Sequence, residues 1–189
     1  MIRQLKFSVV VIGLFLAEGA LQSAMAGGLK EVQSALDRLY PGWTARNVGT
    51  ITGYGTRDCG LHDGVISVHP LSRTVPATLT RVGLIAGKHP VLHLRVSSVG
   101  DDTRSGDWML RIRVNGRPAC GEVLIASTAV RDFKLPLAPW ANRGAVKIEL
   151  DTSAGGDDVW NWELGFWHLI EIIEDASAYG VSATERRTR

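Results

Sequence analysis

The sequence predicts an all-β protein, an antiparallel β-sandwich or jelly roll of about eight to nine strands, preceded by a short N-terminal helix. Several segments alternate apolar and polar residues with a period of two, which is typical of strands buried on one face. The 21 glycines and frequent turn signals separate these segments. Apolar residues make up 45% of the chain, which is enough to form a core. Many short strands joined by turns favour a sandwich over a parallel sheet with crossover helices.

The N-terminus has the pattern of an export signal. Arg3 and Lys6 precede the apolar run 7–17, which is too short to span a bilayer comfortably. The small-x-small pattern 24–26 predicts cleavage after Ala26. We therefore expect a signal peptide over 1–26, a secreted or periplasmic protein, and no membrane span after signal removal. A retained anchor is the alternative.

The charge balance argues against nucleic-acid binding. Without Arg3, Lys6 and Glu18, the 21 basic and 19 acidic residues become 19 and 18, a net charge of +1. Binding to a phosphate backbone is typically carried by a strongly basic surface. No nucleic-acid partner is expected.

Two cysteines, Cys59 and Cys120, are present in a chain with an export signal. In an oxidising compartment they are expected to pair, and the alternative is two separate buried thiols. They lack the CxxC spacing of a zinc site.

The region 27–42 is predicted to be a short helix or spacer. Apolar residues recur there at three- and four-residue spacing, which indicates a helix over 29–39 that ends at Pro41-Gly42. Whether this helix covers the sandwich or only precedes it stays open at this level.

The clearest strand signals lie in the middle of the predicted sandwich, which spans 43–174. Segments 91–96, 108–114 and 146–150 alternate, and Asn115-Gly116 predicts a hairpin whose partner strand lies near 122–126. Weaker candidates are 48–51, 65–68, 77–85, 133–137 and 163–173. The tail 175–189 is small and polar and is predicted to be disordered. The predicted core residues are Leu92, Leu94, Leu110, Ile112, Val114, Val146, Ile148 and Ile170.

Four motifs in residues 66–173 resemble the galactose-binding-domain-like jelly rolls found in carbohydrate-binding modules and in exported bacterial proteins. They are AGK at 86–88, GDWMLRIRVNG at 106–116, the LxxW at 137–140, and WNWELGFWHLIEI at 160–172. One departure is Pro136 in LPLAPWANRG, where such domains often carry an Asp in a DLSxYAGK segment. The resemblance implies a sandwich of eight or nine strands and noncatalytic recognition, often of glycans. It also implies that a structural calcium ion is possible, with no other cofactor.

The candidate ligand-binding residues are Trp160, Asn161, Trp162 and Glu163, joined by Asp107. Aromatic rings stack on the apolar faces of sugars, while carboxylates and amides bind the hydroxyls. Trp160 and Trp162 are two residues apart, so they share one face of an extended chain. The alternative is that both rings cap the core. Trp108 and Trp167 are expected in the core.

Other chemistry has weaker support in the sequence. Two acidic loops could supply calcium oxygens, although neither has the EF-hand order, and solvated turn residues are the favoured explanation. No GxSxG motif is present, and a carboxylate pair such as Asp107 and Glu163 is the only hint of glycoside chemistry. We expect no enzyme, no catalytic residue and no metal ligand. The acidic sets are Asp101, Asp102 and Asp107, and Asp151, Asp157 and Asp158.

Three functions fit these patterns. The first is an exported noncatalytic module that binds carbohydrate or a cell-envelope component. The second is a structural or protein–protein interaction domain on the same sandwich. The third is a small hydrolase, which requires carboxylates that converge in a cleft.

Overall fold

A computed structural model describes residues 28–49, 59–99, 106–155 and 163–179. The predicted signal peptide, 1–26, and the candidate ligand-binding residues Trp160, Asn161 and Trp162 lie outside these ranges. Helix α1 covers 28–39. The strands are β1 (Trp43–Arg46), β2 (Gly60–His62), β3 (Val65–Val68), β4 (Ala77–Leu84), β5 (Pro90–Ser98), β6 (Trp108–Val114), β7 (Arg117–Pro118), β8 (Val123–Ile125), β9 (Arg131–Pro136), β10 (Ala145–Ala154) and β11 (Gly165–Glu174), and a 3-10 helix spans Ala176–Tyr179.

The described strands form two antiparallel sheets, which confirms the predicted sandwich. The six-stranded sheet has the order β1-β4-β10-β6-β7, with β8 also paired to β6. The five-stranded sheet has the order β2-β3-β11-β5-β9. Eleven strands are described, against the eight or nine predicted. The extra ones, β1, β2 and β7, are two to four residues long and therefore too short to show a period.

The period-two alternation predicted the core correctly. In β6 every second side chain from Trp108 to Val114 is buried, and β10 places Val146, Ile148 and Leu150 on the same inner side. All eight predicted core residues are at most 3% exposed. Burial of alternate side chains from both sheets explains why the two sheets pack face to face.

The Asn115-Gly116 turn forms as predicted, but its partner strand differs. Both residues have positive φ, 51° and 77°, as a two-residue hairpin turn requires. The immediate partner of β6 is the short β7. The predicted partner near 122–126 exists as β8 and pairs further along, with residues 108–110. The ladder on β6 is therefore split between two short strands.

Helix α1 belongs to the sandwich core and is not a spacer. Val32 and Leu36 are fully buried in the cluster that also contains Trp43. The side-chain amide of Gln33 forms hydrogen bonds with the backbone of β1. The helix also lies close to β2, because a Cβ atom added to Gly60 would be 3.4 Å from Glu31 Cβ. The helix thus covers the open side of the sandwich, between the edge strands of the two sheets.

The first residues of the predicted disordered tail are ordered. Asp175 accepts a hydrogen bond from Lys134 Nζ at 2.8 Å. Tyr179 Oη donates to the Pro90 carbonyl and accepts from Ala138 N at 2.9 Å. These contacts fasten 175–179 to β5 and the end of β9, which composition alone does not reveal. The prediction for 180–189 lies outside the described residues.

Candidate functional site

Asp107 and Glu163, which are far apart in sequence, converge at one end of the sandwich. Trp108 at the start of β6 pairs with Ala154 at the end of β10, so Asp107 lies beside Gly155. A Cβ on Gly155 would lie 2.7 Å from the Asp107 carbonyl oxygen and 3.3 Å from its Cγ. On the other side, Gly155 N donates to Glu163 Oε1 at 2.9 Å. We call this end, with Asp107, Gly155 and Glu163, the carboxylate rim.

The two carboxylates of the rim are packed into the structure. Glu163 is fully buried, and its Oε1 accepts the hydrogen bond from Gly155 N. Asp107 is half-buried, and its Oδ1 has no hydrogen-bond partner among the described residues. Burial keeps Glu163 away from the surface, so in this structure it supports the rim and does not present its carboxylate to solvent.

A tryptophan pair lies beneath the rim. Trp108 and Trp167 are fully buried, with ring centroids 5.5 Å apart and ring planes at 42°, so their predicted core role is confirmed. Their indole N–H groups donate to Ser97 O at 3.0 Å and Thr152 Oγ1 at 3.3 Å. Buried indoles with satisfied donors form a rigid base, because leaving a buried donor unpaired is costly.

The outer face of the five-stranded sheet carries a polar network that sequence reasoning missed. His93 of β5 has Nδ1 2.8 Å from Glu171 Oε1 of β11 and Nε2 3.1 Å from both Asp132 carboxylate oxygens of β9. The alternation in β5 predicts that His93 faces outward, but only the strand order places these two acids on either side of it.

A second histidine lies on the same face. His168 Nε2 is 2.9 Å from Ser97 Oγ, and a register shift in β11 occurs at this residue. Burial, with the nearby positive charge of Arg95, lowers the pKa of His168. The lowered pKa favours the neutral ring near pH 7.

A groove of about 400 Å³ opens between the end of α1 and the two sheets. We call it the lateral groove. Its walls include Tyr40, Trp43, Arg81 of β4 and the β11 residues 169–172. In this part of β11 the edge away from β5 is not paired to β3, whose ladder ends at Trp167. Tyr40 Oη donates to His168 O at 3.1 Å.

The predicted bridge between Cys59 and Cys120 is not formed. Neither thiol is in a disulfide; Cys59 is buried and Cys120 is exposed. Cys59 precedes β2 in the five-stranded sheet and interacts with Gly49 O at 3.1 Å and His69 N at 3.2 Å. Cys120 follows β7 at the edge of the other sheet. The fold thus places the two thiols on different sheets, a separation that cysteine count cannot foresee.

Asp151, one of the candidate calcium ligands, has a different role. It lies within β10 and accepts from Arg113 Nη2 at 3.0 Å and Thr78 Oγ1 at 2.8 Å. The neighbouring Glu149 binds Arg46 at 2.6 Å and Lys147 at 2.8 Å. Both acids are therefore held by cations on the outer face of the six-stranded sheet. Within the described ranges, no cluster of three or more His, Cys, Asp or Glu side chains is placed to hold a metal ion.

No protein-family model and no curated protein matches this chain. Solved structures with a similar fold are carbohydrate-binding modules, the class that the sequence motifs resemble. The CBM51 domain of Clostridium perfringens GH95, solved with methyl-galactose, is 15% identical, with a TM-score of 0.41, over 67% of this chain and 81% of that one. CBM35 from Paenibacillus barcinonensis is 14% identical, with a TM-score of 0.41, over 71% and 94%. The family 35 module from Clostridium thermocellum is 14% identical, with a TM-score of 0.41, over 70% and 92%.

These similarities concern the fold. The identities are below 25% and the TM-scores below 0.5, so nothing about a ligand is transferred to this chain from those modules. Separately, none of the helices in the described residues is long and apolar enough to cross a membrane.

Proposed function

We propose that this protein is an exported, noncatalytic recognition module that binds carbohydrate, in solution or as part of the cell envelope. The binding residues are Trp160, Asn161 and Trp162, carried between Gly155 and Glu163. The observation that supports this most is the hydrogen bond from Gly155 N to Glu163 Oε1, which joins the two residues on either side of 156–162. Pre-positioned aromatic residues bind with a smaller loss of conformational entropy.

The surroundings of the rim support a binding role better than a catalytic one. The buried Trp108–Trp167 pair makes this end of the described sandwich rigid. Glycoside hydrolysis needs two carboxylates that reach the substrate. Glu163 is fully buried and bonded to a backbone N–H, so it acts as a brace for the rim. Asp107, which is half-buried, contributes to binding at the edge of the site.

A glycan array probed with the purified protein tests the proposal, followed by titration calorimetry on the best hit. Trp160→Ala and Trp162→Ala should each weaken binding by about tenfold or more, since stacked aromatic rings dominate such sites. The matched control is Trp140→Ala. Trp140 follows β9 at the opposite end of the sandwich, where Asn142 N bonds Ile85 O.

Thermal unfolding of the same variants separates binding from folding. If Trp160→Ala and Trp162→Ala both keep their stability and bind the glycan as tightly as the parent protein, the binding site lies elsewhere. If both unfold, the two rings belong to the core, and the proposal loses its main support.

The alternative of a protein–protein interaction domain rests on a different surface. Val82 and Leu84 of β4 are 63% and 76% exposed, and their spacing of two places both on one face. β1 pairs only with residues 78–81 of β4, so on that side residues 82–84 form an edge of the described sheet. This function would be favoured if the parent protein binds no glycan on the array and if Leu84→Ser changes its oligomeric state or its capture of a protein partner.

A further inference from the structure

We propose that the lateral groove is a second ligand site, which takes a small carboxylate attached to an apolar body. The groove lies between the end of α1 and the two sheets, away from the carboxylate rim. The proposal does not depend on carbohydrate binding at the rim.

Two side-chain hydrogen-bond donors, those of Arg81 and Trp43, line the groove. Arg81 is half-buried, and its side chain makes no ion pair or hydrogen bond among the described residues. A guanidinium that is partly removed from water is more stable when it binds an acid, so an unpaired one marks a place for an anion. Arg113, another half-buried arginine of the same sheet, binds Asp151 and Glu149, whereas the side chain of Arg81 binds no acid among the described residues.

The indole of Trp43 points to the same chemistry. Trp43 is 1% exposed and lines the groove, and its Nε1–H has no hydrogen-bond partner among the described residues. Buried indole donors normally have an acceptor. Trp43 of β1 pairs with Arg81 of β4 in the sheet register, so the two donors come from adjacent strands. A carboxylate entering between them, with a small movement of the side chains, would pair with both.

The remaining walls define the body of the ligand. Leu39, Pro41 and Ile172 supply apolar surface, and Tyr40 adds an aromatic ring whose hydroxyl is already used by His168 O. Glu171 is the acidic residue of the described lining, and its Oε1 is paired with His93 Nδ1 at 2.8 Å. That pairing reduces its competition for Arg81. A volume of about 400 Å³ has room for a single ring with its carboxylate.

Benzoate is a suitable probe, and benzamide is its neutral isostere. Titration of the full chain should show benzoate binding that is at least about tenfold tighter than benzamide binding, because only the benzoate carboxylate can form a charged hydrogen bond with Arg81. In NMR spectra, the Trp43 indole N–H resonance should shift on benzoate addition. Trp43→Phe assigns that resonance.

Arg81→Gln should weaken benzoate binding about tenfold, whereas Arg117→Gln should leave it unchanged. Arg117 lies on β7 at the far edge of the six-stranded sheet and is exposed. Thermal unfolding and the NMR spectrum confirm that each variant is folded. The proposal is overturned if benzamide binds as tightly as benzoate, if Arg81→Gln binds benzoate normally, or if no Trp43 shift accompanies binding. Inorganic phosphate that binds as well as benzoate would overturn the apolar-body requirement.

Discussion

The side chain of Gln33 closes the exposed edge of β1 and offers a direct test of the role of α1. Its Oε1 accepts from Ala45 N at 2.8 Å, and its Nε2 donates to Trp43 O at 3.2 Å and to Asp37 Oδ1 at 2.8 Å. The amide therefore binds the two β1 backbone groups that a neighbouring strand would bind. This replaces strand pairing at an edge, where unpaired groups promote association.

Gln33→Met keeps the length and the helix propensity of the side chain but removes both backbone hydrogen bonds. Each such bond contributes about 0.5–1.5 kcal/mol net, so the free energy of unfolding should fall by about 1–3 kcal/mol. For a domain of this size, that corresponds to a decrease in Tm of about 2–4 °C per kcal/mol. Urea titration and calorimetry measure the loss, and hydrogen exchange should show faster exchange at Ala45 N.

Gln33→Glu gives a second readout. The carboxylate still accepts from Ala45 N, but it faces the Trp43 carbonyl and the Asp37 carboxylate without a donor. Gln33→Glu should lower the free energy of unfolding more at pH 7 than at pH 4, because at pH 4 the protonated carboxyl group again has a hydrogen to donate. Arg38→Gln, on the exposed side of α1, is the control and should change stability little. If Gln33→Met is as stable as the parent and exchange at Ala45 is unchanged, the amide does not hold the edge.

Three further predictions follow from the packing and charges. Leu110→Ala and Ile148→Ala, at fully buried sites, should each lower the free energy of unfolding by about 2–5 kcal/mol in urea titrations, and losses near zero would contradict the core assignment. Glu149→Gln should lower the free energy of unfolding by about 1 kcal/mol at low salt and by less in 1 M NaCl, because Arg46, Arg113 and Lys147 lose their shared carboxylate. Equal losses at both salt concentrations would argue against an ionic origin. For His168, the folded pKa is lowered, so the unfolded state binds protons first. Stability should therefore fall as pH drops below about 6.5, and His168→Gln should flatten that slope in pH-dependent denaturation.

The charge of Glu149 illustrates how the environment sets a pKa. Burial alone opposes ionisation, but the hydrogen bond from Lys147 and the charges of Arg113, Lys147 and Arg46 outweigh it, so the pKa is lowered. The carboxylate thus stays ionised although its side chain is only 3% exposed. Alternation along β10 predicted that Glu149 faces outward, and it does. Only the neighbouring strands decided that long cationic side chains would cover it.

Local sequence determined the elements whose signal is carried by nearby residues. The alternation in β5, β6 and β10, the helical spacing in α1 and the Asn115-Gly116 turn were all predictable. In each case, periodicity or backbone conformation is set within a few residues. The very short strands and the ordered contacts of 175–179 escaped prediction, because they exist only through partners elsewhere in the chain.

Tertiary structure alone decided which distant residues meet. Strand order places Asp107 beside Gly155 and Glu163, His93 between two acids, and Arg81 next to Trp43. The same order separates Cys59 from Cys120, although the cysteine count and the predicted export favoured a bridge. Residue type and spacing determine which face of a strand a side chain occupies. Which side chains lie across from it depends on long-range pairing, because the free energy of sheet assembly comes from contacts between segments distant in sequence.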